Sequence, residues 1–250
     1  MKELDIFEDG LIEQFRQHPV LKNLDLIADA DFVAMLLQRR FLSLAFTPAY
    51  DLAIDLLNDE QGLKIARVIL REEYPGSKGY TPSHREDMKE DLLQLGVSRR
   101  DLVETRPTGA TVQAITKTLG LISEAASGNF ADAQLLTILR FWGEVLVSVE
   151  YGELWRRMAP RLEKEGENRS RFYYPHHIHD KKVRPLAAAS LLSSTHSDQL
   201  GVRLWQLLDS DGAEDCFMSV EKDILLLKML FYDQFTPMLK HGRVGAFTRS

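Results

Sequence analysis

The sequence holds a single cysteine, Cys216, among 250 residues, which excludes an intrachain disulfide and any zinc site built on several cysteines. It also lacks an apolar stretch near the roughly 18–20 residues of a membrane-spanning helix, so no membrane partner is expected. A basic excess is missing too. Thirty-one Lys and Arg stand against 37 Asp and Glu, giving a formal net charge of −6 and a pI of about 5.7, and no nucleic-acid footprint. The opening run Met1-Lys2-Glu3-Leu4-Asp5 lacks the basic-then-apolar order of a secretory signal, and the expected compartment is the reducing cytoplasm. What is present is globular in composition, 44% hydrophobic and 27% charged. The length suits one large domain over residues 1–250.

Strand-type alternation is absent and helical periodicity dominates. Val220, Ile224, Leu227, Phe231 and Phe235 recur on one helical face, as do Leu135, Ile138, Trp142, Val145 and Val149. Further helices are predicted near 31–57, 60–74, 84–95, 109–127 and 182–208, with breaks at Pro75-Gly76, Arg106-Pro107, Ser127-Gly128-Asn129 and Asp209-Ser210-Asp211-Gly212. The fold class is therefore all-α. Pro48, inside Phe46-Thr47-Pro48-Ala49-Tyr50, removes a backbone donor and should kink or split its helix as a packing solution.

Four segments carry residues suited to chemistry. Glu73 follows Ile65 and Ile69 at four-residue steps and so projects from an inward face, with Glu72 beside the Val68 row as the rival. Both acids end a helix, where they oppose its dipole by about 0.3–1 kcal/mol each. His84 opens the next helix, capped by Thr81-Pro82 or by Ser83 with Glu86, and heads an apolar stripe of Met88, Leu92 and Leu95. Glu150 lies on the Leu139, Gly143, Leu146 stripe and should be buried, needing an arginine or a metal. Glu144, by contrast, shares a row with Arg140 and Ser148 and is expected in solvent. Last comes Phe172-Tyr173-Tyr174-Pro175-His176-His177-Ile178-His179-Asp180, where His176 and Asp180 stand one turn apart and His179 flanks them. Mixed imidazole and carboxylate ligands suit iron or manganese, and several helices of a bundle can supply a two-metal site. The Glu-x-x-His pair of ferritin-like proteins is absent.

The order of these motifs resembles the haem-oxygenase-like diiron oxidases. The likeness runs through His18-Pro19-Val20-Leu21, Phe46-Thr47-Pro48-Ala49-Tyr50, Arg71-Glu72-Glu73-Tyr74-Pro75-Gly76, Ser83-His84-Arg85-Glu86, Leu95-Gly96-Val97 and Gly143 to Glu150. It implies a haem-oxygenase-like bundle of about seven helices, with Glu73, His84, Glu150, His176 and Asp180 as ligands of two ferrous ions. In that pattern Glu73 and Glu150 bridge, His84 is terminal on one ion, and His176 and Asp180 hold the other. A further histidine is expected three residues after Asp180, where this chain has Val183, so either His179 or His177 substitutes or that metal position is weak or filled only with substrate. The resemblance further implies O2 as co-substrate, a small carboxylic substrate (an amino acid or fatty acid) in a specialised biosynthetic pathway, an external electron donor and a homodimer. Phe41, Phe46, Trp142 and Phe231 are candidate lining residues, and Arg39, Arg40 or Arg140 a candidate carboxylate holder. Three other readings compete. A thiaminase-type hydrolase would need Cys216, which an acidic loop disfavours; a haem enzyme would need an axial His18; a helical binding protein would need no metal.

Overall fold

The computed structural model describes residues 2–76, 81–193 and 195–239. Its helices are α1 (Lys2–Arg16), α2 (Pro19–Lys22), α3 (Asp29–Leu44), α4 (Phe46–Leu56), α5 (Glu60–Glu72), α6 (His84–Gln94), α7 (Arg99–Glu104), α8 (Gly109–Ala125), α9 (Ala131–Ile138), α10 (Leu146–Leu162), α11 (Tyr173–His179), α12 (His196–Leu207) and α13 (Ala213–Asp233). Several begin where the sequence supplies a cap. Asp59 accepts from Gly62 N, Thr108 accepts from Thr111 N, and Ser83 with Glu86 and Ser98 with Asp101 close capping boxes.

The expected 31–57 helix is two helices. The chain turns at Ala45, and Pro48 lies in the first turn of α4, where a missing N–H costs nothing. The expected 182–208 helix is confined to α12. Residues 181–193 instead form a loop with one 3-10 turn, Leu186–Ala188, which Pro185 precedes and Asp5 pins by accepting the Leu186 N–H at 2.9 Å. A two-residue hairpin, β1 (Glu163–Lys164) with β2 (Glu167–Asn168), is exposed and peripheral.

The buried apolar side chains form one continuous cluster. Through it runs a rod made of α9, a π-helical turn (Leu139–Val145) and α10, packed by α1, α11, α12 and α13. Every residue from 135 to 151 is buried. A helix enclosed on all sides has no solvent face, so polar residues on it must find partners inside. The π-turn also adds a residue to the local repeat, which shifts the phase of side chains before it relative to those after it.

Candidate metal centre

Two groups of potential ligands face the middle of the bundle. In the first, Glu73 caps the C-terminus of α5, His84 is the first residue of α6, and His176 stands on α11. The antiparallel bridge Gly76–Thr81 folds the α5–α6 connection back on itself, and so brings Glu73 and His84 together. His84 Nδ1 lies 2.8 Å from Glu73 Oε1, and the His84 and His176 rings meet edge to face with centroids 4.7 Å apart. In the second, Glu144 comes from the π-turn, Asp180 ends α11 and His196 opens α12. Within each group, one ligating atom per residue lies within 4.8 Å of the others. Both groups line one cavity of about 210 Å³, whose apolar walls include Leu42, Phe46, Ile69, Trp142 and Val147. Phe46 and Trp142 thus line the cavity as expected, whereas Phe41 and Phe231 do not.

Neighbouring groups hold these side chains in place. His176 Nδ1 donates to the Phe172 carbonyl at 2.7 Å, which fixes the tautomer and leaves the Nε2 lone pair for a cation. Burial, helped by nearby His84, pushes its pKa down to about 3, so the ring is neutral. Tyr50 donates to Glu144 Oε1. Gly143 makes room for that contact, since a Cβ there would stand 3.0 Å from the Tyr50 ring. Burial and the adjacent Glu144 raise Asp180 well above the usual carboxylate range. Burial would lower His196, yet hydrogen bonds to Asp180, Glu144 and Glu72 outweigh it and push the pKa up to about 12. His196 Nε2 reaches Glu72 Oε2 at 3.2 Å, and its Nδ1 reaches Glu144 Oε2 at 3.3 Å and Asp180 Oδ1 at 3.5 Å. One imidazolium thus serves three carboxylates.

The expected ligands divide. Glu73, His84 and His176 come together, so His176 joins the first group instead of sharing an ion with Asp180; Asp180 lies in the second. His179 lines the cavity but is exposed and belongs to neither group. His177 turns away, its Nδ1 2.9 Å from the Ser148 carbonyl. Glu150 is not at the cavity. It is 0% exposed, accepts from Arg39 Nε at 2.5 Å and from Tyr232 Oη, and has Lys228 Nζ at 3.5 Å. Of the two partners its burial demanded, it has the arginine.

The expectation of a solvated Glu144 is overturned, for the side chain is only 1% exposed. Its row, Arg140, Glu144 and Ser148, is an internal polar row with partners Glu8, Tyr50 and the His177 carbonyl. His196 was not singled out in the sequence. It stands beside Glu144 and Asp180, where Val183 does not reach: the chain leaves helix at Asp180, so Val183 has no helical turn to place it and is 54% exposed. The signal available was positional, since His196, like His84, is the first residue of a helix. Of the arginines, Arg39 lines the cavity, Arg40 bonds the Leu102 carbonyl and Arg140 is paired with Glu8. His18 is buried, with Nδ1 capping α2 and Nε2 on Asp233, and neither His18 nor Cys216 lines the cavity.

The chain is similar in fold to two solved structures. One is a domain of unknown function with a haem oxygenase-like fold from Shewanella denitrificans OS217. At 18% identity the match covers 100% of this chain and 95% of that one, with a TM-score of 0.65. The other is a TenA family transcription regulator from Silicibacter sp. TM1040, at 14% identity over 94% of this chain and 96% of that one, with a TM-score of 0.58. No protein-family model and no curated protein matches the chain. The fold is haem oxygenase-like and all-α.

Proposed function

We propose that the chain is a non-haem diiron oxidase or oxygenase. It would hold two ferrous ions and use O2, with an external electron donor, to oxidise a small carboxylic substrate of the amino-acid or fatty-acid class in a specialised biosynthetic pathway. The observation that carries this reading is the pair of three-residue ligand groups opening onto one largely apolar cavity.

The residues fit the metal. Glu73, His84 and His176 make a two-histidine, one-carboxylate set, the donor composition of non-haem Fe(II) oxygenases with open positions. Glu144, Asp180 and His196 are a carboxylate-rich set in which the one cation is the His196 proton. A divalent ion in place of that proton would let both buried acids ionise. Bound iron would supply O2 activation, chemistry that no side chain here provides.

The chain's own residues do the rest. Loading the second group requires His196 to release the proton it shares with Glu144 and Asp180. Tyr50 keeps Glu144 Oε1 occupied by a hydrogen bond, so Oε2 is the oxygen turned toward His196. The Phe172 carbonyl keeps His176 Nε2 free of a proton. Phe46, Trp142 and Val147 exclude water from the space where substrate would lie.

Anaerobic ferrous titration of metal-free protein tests the reading. Two irons per chain are expected, with His84→Ala and His196→Ala each removing one, and Glu150→Gln retaining both. A protein that binds no iron and is equally stable in chelator is a helical binding protein instead.

A further inference from the structure

Lys228, on α13, is one of two buried cations on the cavity that the metal groups do not use. It is 2% exposed, lines the cavity, and lies 5.6 Å from the centre of the Trp142 ring. Its approach to Glu150 Oε2, at 3.5 Å, is longer than an ordinary hydrogen bond. Arg39, 3% exposed, lines the same wall and spends its Nε on Glu150 and its Nη1 on Ser43 at 2.9 Å. Glu150 stands behind them and does not reach the cavity. Its Oε1 is taken by Arg39 and Tyr232, and its Oε2 has no hydrogen-bond partner. Two buried cations therefore share one carboxylate, and the uncompensated positive charge faces the space where a substrate would sit.

We infer that Lys228 and Arg39 form an anion subsite for the carboxylate of an amphipathic monocarboxylic acid, whose apolar body lies along Phe46, Trp142 and Val147. A single excess charge matches a monoanion, and the arginine fork and lysine point charge are the side chains that recognise carboxylates. The adjoining apolar wall disfavours a phosphate or dicarboxylate, which would carry more charge than the subsite neutralises. Lys228 and Arg39 are positioning residues on this account. The inference rests on the oxidase reading only for what happens to the bound acid, and its binding step is independent of that reading.

The test is binding of a series of straight-chain carboxylates, each beside its primary amide, to the full-length protein. Calorimetry with Trp fluorescence follows it, with and without ferrous iron under anaerobic conditions. At least one carboxylate is expected to bind ten-fold or more tightly than its amide. Lys228→Met should abolish that preference while iron stoichiometry is unchanged, and Lys228→Arg should retain it. The subsite is refuted if no carboxylate outbinds its amide, or if Lys228→Met preserves the preference. It is refuted as well if the preference vanishes in His84→Ala or His196→Ala while Lys228 is intact, since the acid then sits on the metal. A Lys228-dependent preference in a protein that binds no iron sustains the subsite and sinks the oxidase.

Discussion

Glu150 offers the sharpest separation of a structural carboxylate from a ligating one. Replacing it by Gln keeps the shape and leaves an oxygen to accept from Tyr232, but removes what is, among the described residues, the only carboxylate within ion-pair distance of buried Arg39 and Lys228. Breaking a buried pair from one side costs about 3–5 kcal/mol, because the remaining charge stays desolvated. With a urea dependence near 3 kcal/mol/M, the top of the usual range for small proteins, the unfolding midpoint of Glu150→Gln should fall by roughly 1–2 M. Adding Lys228→Met removes one of the stranded cations and should recover part of the loss, giving a coupling energy of about 0.5–3 kcal/mol in the double-mutant cycle. Folded Glu150→Gln should still bind two ferrous ions per chain. The assay is paired urea titration and anaerobic iron counting on the same preparations. A variant of unaltered stability that has lost an iron would make Glu150 a ligand and refute the argument from its partners.

Other expectations follow from the same physics. Glu221 is fully buried, both its oxygens lack hydrogen bonds, and burial beside Glu8 raises its pKa well above the ordinary range, which favours its neutral form. Glu221→Gln should therefore shift stability by under about 1 kcal/mol, far less than Glu150→Gln, as urea midpoints would show. Asp91 on α6 accepts from the Ser170 hydroxyl and from the backbone N–H groups of Arg171, Phe172 and Tyr173, which fixes the start of the helix that carries His176. Asp91→Ala should cost about 2–4 kcal/mol and weaken iron binding, and an unchanged midpoint would refute its capping role. Burial lowers the pKa of His18 despite its bond to Asp233. The unfolded chain thus takes up that proton first, and the contribution is present above about pH 6.5 and lost as pH falls below it. Unfolding midpoints of wild type should then drop more steeply from pH 7.5 to 5.5 than those of His18→Asn, and equal slopes would overturn the assignment. Carboxylate binding should weaken as pH rises through about 8, where Lys228 loses its proton. Burial lowers that pKa against the opposing pull of Glu150, with Arg39 adding repulsion and Tyr232 neutral nearby; binding independent of pH from 7 to 9 would contradict this.

The sequence made most of the helices legible because their signals are local: the Ser83–Glu86 cap, the breaks at Pro75-Gly76 and Arg106-Pro107, and the Ile65, Ile69, Glu73 stripe that aimed a carboxylate inward. That Glu73 and His84 belong together came from the resemblance in motif order and not from the helix pattern, and the Gly76–Thr81 bridge is what brings them together. Glu144 was misjudged because the helical wheel assumes a wet side, and the rod it belongs to has none. Seen that way, the Arg140, Glu144, Ser148 row was a sign of internal partners. Glu150 was rightly placed inside, but burial alone does not choose between arginine and metal, and the choice was made by α3 and α13, far away in sequence. His196 was hidden by the loop before α12, whose course depends on tertiary bonds such as Asp5 to Leu186 N.

Those distant bonds also explain how flexible side chains can make a defined site. Each residue of the second group has a chain neighbour in one buried network. Arg140, one turn before Glu144, donates from Nη1 to Glu8 and from Nε to the Ser197 carbonyl at 3.0 Å, directly after His196. Glu8 in turn holds Lys182 Nζ at 2.6 Å, two residues beyond Asp180, and Ser197 Oγ donates to the Lys181 carbonyl at 2.7 Å. A site assembled from three separate segments needs such cross-links, because each backbone would otherwise be free to place its ligand elsewhere. Buried charge adds little net stability. Its contribution is to register: with Glu8 and Arg140 desolvated and Lys182 half-buried beside them, any displacement of one segment strands a charge, so α1, the π-turn and the start of α12 keep Glu144, Asp180 and His196 in register.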